Sequence, residues 1–158
     1  MEALRHAESL HEKVELWCMD EHRIGLQPIS TRAWSKRGER FVRSVNIKYE
    51  WLYIYAFICP ETGESHLWLA NALDSEMYQK ILREFRNGIP QGVHVLLVED
   101  QAGFHQHNTD DPVESLEIIP IPSYSPELQP TECVWKFTDT PIFNKCFDSI
   151  KEVWDLFL

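Results

Sequence analysis

VHVLLVED, residues 93–100, is the stretch on which the fold turns. Val93, Val95, Leu96, Leu97 and Val98 make a nearly continuous apolar run, the pattern of a strand covered on both faces, and the run finishes in two acids, Glu99 and Asp100. Upstream, Val14 to Met19 reads as a second strand that likewise finishes in acids, Asp20 and Glu21. Between the two, Ser44 to Asn46 and Tyr49 to Cys59 read as strand, PETGES (60–65) as a turn, and His66 to Ala70 as the returning strand of an antiparallel meander. Asp74 or Ser75 caps a helix with Leu73, Met77, Ile81, Leu82 and Phe85 at helical spacing. Asn87-Gly88 and Pro90 close it, and Glu76 and Lys80 form a favourable i,i+4 pair on it. Downstream, Leu116 to Ile121 is a short strand. In SPELQPTECVWKF (125–137) Pro130 suits the first position of a helix and places Glu132 in its first turn. The tail from Asp148 puts Ile150, Val153, Trp154, Phe157 and Leu158 on one helical face. Three strands, a helix, two strands and two helices give an α/β class with a mixed sheet.

A chain of 158 residues with no repeat or linker is expected to form one domain over residues 1–158. Its 44% hydrophobic and 25% charged content excludes a disordered or fibrous class. The longest apolar run, around Trp51 to Cys59, is too short to span a bilayer, and MEALRHAESLHEK carries no export signal, so a cytoplasmic location without membrane contact is expected. Cys18, Cys59, Cys133 and Cys146 form no C-x-x-C pair and read as reduced, mostly buried thiols. A net charge of −10 opposes nucleic-acid binding in general. The charge is uneven, however. TRAWSKRGERFVR (31–43), with Arg23 nearby, holds six of the fifteen basic residues, so a local basic arm can coexist with an acidic domain. A solvated basic loop is the plainer reading of that segment.

Two strands that each end in an acid, followed by an acid at a helix start, bring three carboxylates together if the strands are neighbours. Such a set repels itself unless cations neutralise it, and hard oxygen ligands suit Mg²⁺ or Mn²⁺. Two ions about 3.5–4 Å apart can promote phosphodiester cleavage. The helix dipole favours the ionised form of Glu132. Each acid also has a plainer reading as a solvated turn residue or cap. Glu21 and Glu99 compete with the aspartates, although strand alternation points neighbours to opposite faces. His105 and His107 form an H-x-H in a polar loop.

At these places the chain resembles mariner-type transposases and their bacterial insertion-sequence relatives, the DDE superfamily. WCMDEHRIGL (17–26) is similar to the first motif, with Asp20 as the first acid; VLLVEDQAGFHQ (95–106) to the second, matching Asp100 and His105; and SPELQPTECVW (125–135) to the third, matching Glu132 and Trp135. TRAWSKRGER resembles the family's segment between the first two strands, and FNKCFDSIKEVW (143–154) its closing helix. The resemblance covers nearly the whole chain. Gln129 and Gln101 stand where Asn or an Asn-like residue is usual, and Thr131 where an apolar residue is.

The resemblance implies an RNase H-like fold, a mixed five-stranded sheet flanked by helices. It implies catalysis and metal binding by Asp20, Asp100 and Glu132 with two Mg²⁺ or Mn²⁺ ions, cleavage of DNA at transposon ends and strand transfer to a target. Arg37, Arg40, Arg43 and Lys136 are then candidate DNA contacts, His105 a supporting residue, and a homodimer the expected assembly in a full transposition complex. No segment before Val14 reads as the family's upstream helix-turn-helix, so the expectation is a catalytic domain alone. The alternatives are a degenerate remnant that binds nucleic acid or protein, and another RNase H-like nuclease.

Overall fold

The computed structural model describes residues 2–40, 42, 44–105, 112–122, 125 and 129–157. Its elements are α1 (Glu2–Leu10), β1 (Lys13–Gly25), β2 (Trp51–Ile58), β3 (Ser65–Ala70), α2 (Ser75–Gly88), β4 (Val93–Glu99), β5 (Leu116–Pro120), α3 (Glu132–Asp139) and α4 (Ile150–Asp155). The five strands form one sheet in the order β3-β2-β1-β4-β5. β1, β2 and β3 are antiparallel neighbours, and β4 and β5 run parallel to β1. This is the mixed, helix-flanked, RNase H-like sheet that the sequence implied.

β1 changes partner along its length. It pairs with β4 from Lys13 to Cys18 and with β2 from Cys18 to Gly25. The sequence reading ended this strand at the acids; in the structure it continues through Asp20 for a further five residues, because β2 goes on supplying backbone partners after β4 has finished. Asp20 therefore stands just past the fork where β4 leaves.

One face of the sheet carries a core of Trp17, Met19, Tyr55, Phe57, Val95 and Leu97 under Tyr78, Ile81, Leu82 and Phe85 of α2. Phe85 is its hub. Its ring stacks on Phe57 at 4.2 Å and meets Trp17 edge-on at 5.0 Å, and each such fully buried side chain stabilises by about 1.5–3 kcal/mol. The carboxylate of Asp74 caps α2 by accepting from the Met77 N–H at 2.9 Å, and the Lys80–Glu76 pair closes at 2.7 Å, both as the sequence indicates. The opposite face buries Ile24, Leu26, Leu52 and Ile54 against Ile142 and Val153, with Trp135 packed beside them.

Residues 44–46 do not form the expected strand: Val45 and Ile47 are exposed, and the Asn46 amide donates instead to the Phe147 carbonyl at 2.7 Å. Pro130 stays outside α3, which opens at Glu132 after two turn residues. An unanticipated helix, α1, packs against β1 through buried Ala7. Cys18 and Cys59 are buried, but Cys133 and Cys146 are exposed, since α3 turns Cys133 outward and Cys146 lies in a loop. Among the described residues no helix is long and apolar enough to cross a membrane.

Candidate active site

Alternation along β1 and β4 sorts Asp20, Glu21 and Glu99 between the two faces of the sheet. Trp17, Met19, Val95 and Leu97 belong to the α2 face, so Glu21 and Glu99, in step with them, turn that way as well. Ile24 belongs to the other face, which places Asp20 on the side of α3 and α4, whereas Asp100 follows the end of β4 and its carboxylate reaches back to His105 Nδ1 at 3.1 Å. Asp20 and Asp100 lie close enough for each charge to act on the other's neighbourhood, and Asp100 contributes to raising Asp20.

The pair on the α2 face is neutralised. Glu99 is 1% exposed and accepts a hydrogen bond from the Tyr78 hydroxyl at 2.9 Å. His105 lies beneath it, its Nε2 at 2.8 Å from Glu21 Oε1 and its Nδ1 at 3.0 Å from the Asp100 carbonyl and 3.9 Å from Glu99 Oε1. Burial works against the His105 imidazolium, but the hydrogen bond and charge of Glu21, with Glu99 and the Asp100 carbonyl, outweigh it and bring the pKa up to about 9. Burial raises Glu99 to about 7 despite His105 and Tyr78. His105 is thus a buried cation serving two buried acids, and its Nδ1 also reaches Asp100 Oδ1 at 3.1 Å.

On the α3 face Asp20 has no ion-pair partner among the described residues. Burial pushes it up to about 6, opposed by the Trp135 indole N–H, which donates to Oδ2 at 2.9 Å. Trp135 stacks on His22 with ring centres 4.9 Å apart, and His22 Nε2 meets Asp139 Oδ1 at 2.7 Å. Asp100 is exposed; its Oδ1 accepts the Ala102 N–H at 2.9 Å in a tight turn after β4. A depression of about 350 Å³ opens beside it, lined by Glu99, Asp100, Gln101, His105, Ile118 and Pro120.

Glu132 is the exposed first residue of α3, one turn before Trp135 and two before Asp139. Among the described residues no three His, Cys, Asp or Glu side chains converge closely enough to hold a metal, so the arrangement described is the Asp20–Asp100 pair with the Glu132 helix docked beside it. Lys136 is exposed on the same helix. Arg37 and Arg40 lie on an exposed arm between β1 and β2; Arg43 and His107 lie outside the described residues.

The residues that the sequence reading did not single out are Tyr78, His22 and Asp139. The signal for the last two was present: His22 is two positions from Asp20 on a strand, and Asp139 is seven from Glu132 on a helix, spacings that keep each on the same face. The unusual side chains are built into the fold. Gln129 donates to the Met19 carbonyl at 2.6 Å and Gln101 to the Ile121 carbonyl at 2.8 Å, while Thr131 is buried with its hydroxyl unpartnered among the described residues.

A search of curated proteins finds similarity to the uncharacterized protein y4pE/y4sA of Sinorhizobium fredii, 31% identical over 104 residues that cover 65% of this chain and 77% of the relative. Among solved structures, the fold is similar to the Mos1 strand transfer complex, with a TM-score of 0.65 at 16% identity over 99% of this chain and 48% of that one. It is also similar to a pre-cleavage Mos1 transpososome, with a TM-score of 0.67 at 18% identity over 98% and 50%, and to the mariner Mos1 paired end complex with Mg, with a TM-score of 0.67 at 19% identity over 90% and 46%. This chain therefore spans about half the length of the solved chains it matches. The family profile described as DDE superfamily endonuclease matches residues 15–154, and with the acids of β1, β4 and α3 in that order the chain belongs to the DDE superfamily endonucleases.

Proposed function

We propose that this chain is the catalytic domain of a transposase, cutting DNA at transposon ends and joining the freed 3′ end to a target, with Asp20, Asp100 and Glu132 as its catalytic and metal-binding acids. One observation carries the reading: Asp20 leaves β1 on the face opposite Glu21, near enough to Asp100 to feel its charge, and the helix opened by Glu132 is hydrogen-bonded to Asp20 through Trp135. The donor set suits a hard divalent cation. Asp20 is a largely buried carboxylate, raised by burial and by its acidic neighbours and lacking an ion-pair partner among the described residues, so a cation there would offset a standing repulsion. Two Mg²⁺ or Mn²⁺ ions, when bound, supply activation of the attacking oxygen and stabilisation of the leaving one.

The protein's own groups do the rest. Asp20 and Asp100 hold the cations from adjacent strands, and Glu132 closes the set from α3. His105 supports Asp100 from behind through its carbonyl and carboxylate. Arg37, Arg40 and Arg43 on the arm, and Lys136 on α3, meet DNA phosphates. The arm leaves Trp34, Val42, Val45 and Ile47 exposed, apolar surface that a second copy would cover in a homodimeric complex. The test is nicking of DNA carrying the ends of the parent element, with Mg²⁺, Mn²⁺ or chelator. Cleavage that needs the metal and disappears in Asp20→Asn, Asp100→Asn and Glu132→Gln is expected; cleavage unchanged in Asp20→Asn would sink the assignment.

A further inference from the structure

The two aspartates use their oxygens differently. Asp100 is exposed and held by its own turn, whereas Asp20 gives one oxygen, Oδ2, to the indole N–H of Trp135 at 2.9 Å. That indole is fixed in its turn. It lies flat on His22, at an interplanar angle of 17°, and His22 is bound to Asp139 at 2.7 Å. Asp20 and His22 share a face of β1, and Trp135 and Asp139 are four apart on α3, so strand and helix are joined by a closed circuit of four side chains. A carboxylate with one oxygen held by a fixed donor offers a cation its other oxygen more readily, and bidentate chelation has to share Oδ2 with the indole N–H.

Resting on the metal-site reading above, we propose that Trp135 is a positioning residue: held by His22 and Asp139, it presents Asp20 as a one-oxygen ligand and registers α3, and with it Glu132, against β1. The consequence is a preference among cations. Mg²⁺ demands compact octahedral coordination, whereas Ca²⁺ accepts more oxygens and bidentate carboxylates, so one-oxygen presentation disfavours Ca²⁺.

The test is calorimetric titration of the protein with Mn²⁺ alone, and competition by Mg²⁺ and Ca²⁺, in wild type, Asp20→Asn, Trp135→Phe and Asp139→Asn. Trp135→Phe keeps an aromatic ring beside His22 and removes the N–H together with part of the indole. It is expected to bind Mn²⁺ about ten-fold more weakly, the scale on which groups behind a metal ligand act, and to raise the Ca²⁺-to-Mg²⁺ affinity ratio several-fold. Asp139→Asn should move both quantities the same way by less. A role in packing alone would lower the melting temperature and leave the ratio where it was. Wild-type Mn²⁺ affinity and ratio in Trp135→Phe would overturn the positioning role and leave the site reading standing. Equal Mn²⁺ affinity in wild type and Asp20→Asn would instead overturn the site reading, and the positioning role with it. Should Trp135→Phe fail to fold, the ratio in Asp139→Asn decides alone.

Discussion

The two faces of the sheet receive the same dipeptides in opposite senses and treat them differently. On the α2 face Glu21 and Glu99 are enclosed with a cation, His105, and a hydroxyl donor, Tyr78; on the α3 face Asp20 has N–H donors from the Trp135 indole and the Glu21 backbone but no cation among the described residues, while exposed Asp100 shares His105. An internal counter-ion offsets part of the cost of removing an acid from water, although burial still holds Glu99 at about 7. A half-buried acid without one is an unfinished electrostatic arrangement, and that asymmetry separates Asp20 from Glu21 and Glu99.

The comparison can be broken most forcefully from the α2 side. Phe85→Ala empties the hub of the aromatic core and should cost about 3–5 kcal/mol, measured by urea unfolding, with no dependence on added metal. Next in size, His105→Ala leaves Glu21 and Glu99 without their cation and should cost about 3 kcal/mol near neutral pH. Because His105 is raised from 6.5 to about 9, the deficit should be fully present below about pH 6.5 and shrink as pH rises through 9. A deficit that is constant with pH would show that His105 serves packing only.

Asp20→Asn sharpens the contrast on the other face. The folded pKa of about 6 lies above the ordinary aspartate value of 3.8, so the folded state binds more protons in that interval. The contribution of Asp20 to stability is then fully present below about pH 4 and is lost as pH rises through 6. Asp20→Asn should therefore raise metal-free stability at pH 7.5 by about 1–3 kcal/mol, while Mn²⁺ stabilises the wild type and not the mutant. Melting curves with and without Mn²⁺ should cross; a mutant less stable than wild type in chelator would contradict the burial argument. The smallest effect on stability belongs to the arm. Arg37→Gln with Arg40→Gln should leave the melting temperature within about 1 °C, since exposed substitutions change little. DNA binding should weaken on every sequence alike, and the slope of log affinity against log salt should fall by about two.

Much of this was legible in the chain itself. The apolar run 93–98 and the acids that close it announce β4, and period-two alternation separates Asp20 from Glu21. The length of β1 was not legible, because its second half is held by β2 rather than by its own hydrophobic pattern. The charge state of His105 was not either: it depends on Glu21, which is remote in sequence and brought close only by the sheet. The link from Trp135 to Asp20 likewise needs a docked helix, and spacing could say only that Trp135 shares a face with Glu132.

The arm between β1 and β2 is closed at its root. Gly25 faces Trp51 across the strand pair, Leu26 N–H donates to the Glu50 carbonyl at 3.2 Å, and a side chain at Gly25 would run into the Trp51 ring. Farther out, Asn144 bonds Thr31 on one limb and Asn46 bonds the Phe147 carbonyl on the other. Beyond those ties the arm is a polymer loop with fixed ends, and doubling the length of such a loop costs only about 0.6 kcal/mol. The segment between the Thr31 and Asn46 ties is thus where this molecule can gain or lose length at little expense to its fold, so the reach of the arm can be retuned there by insertion and deletion without moving Asp20.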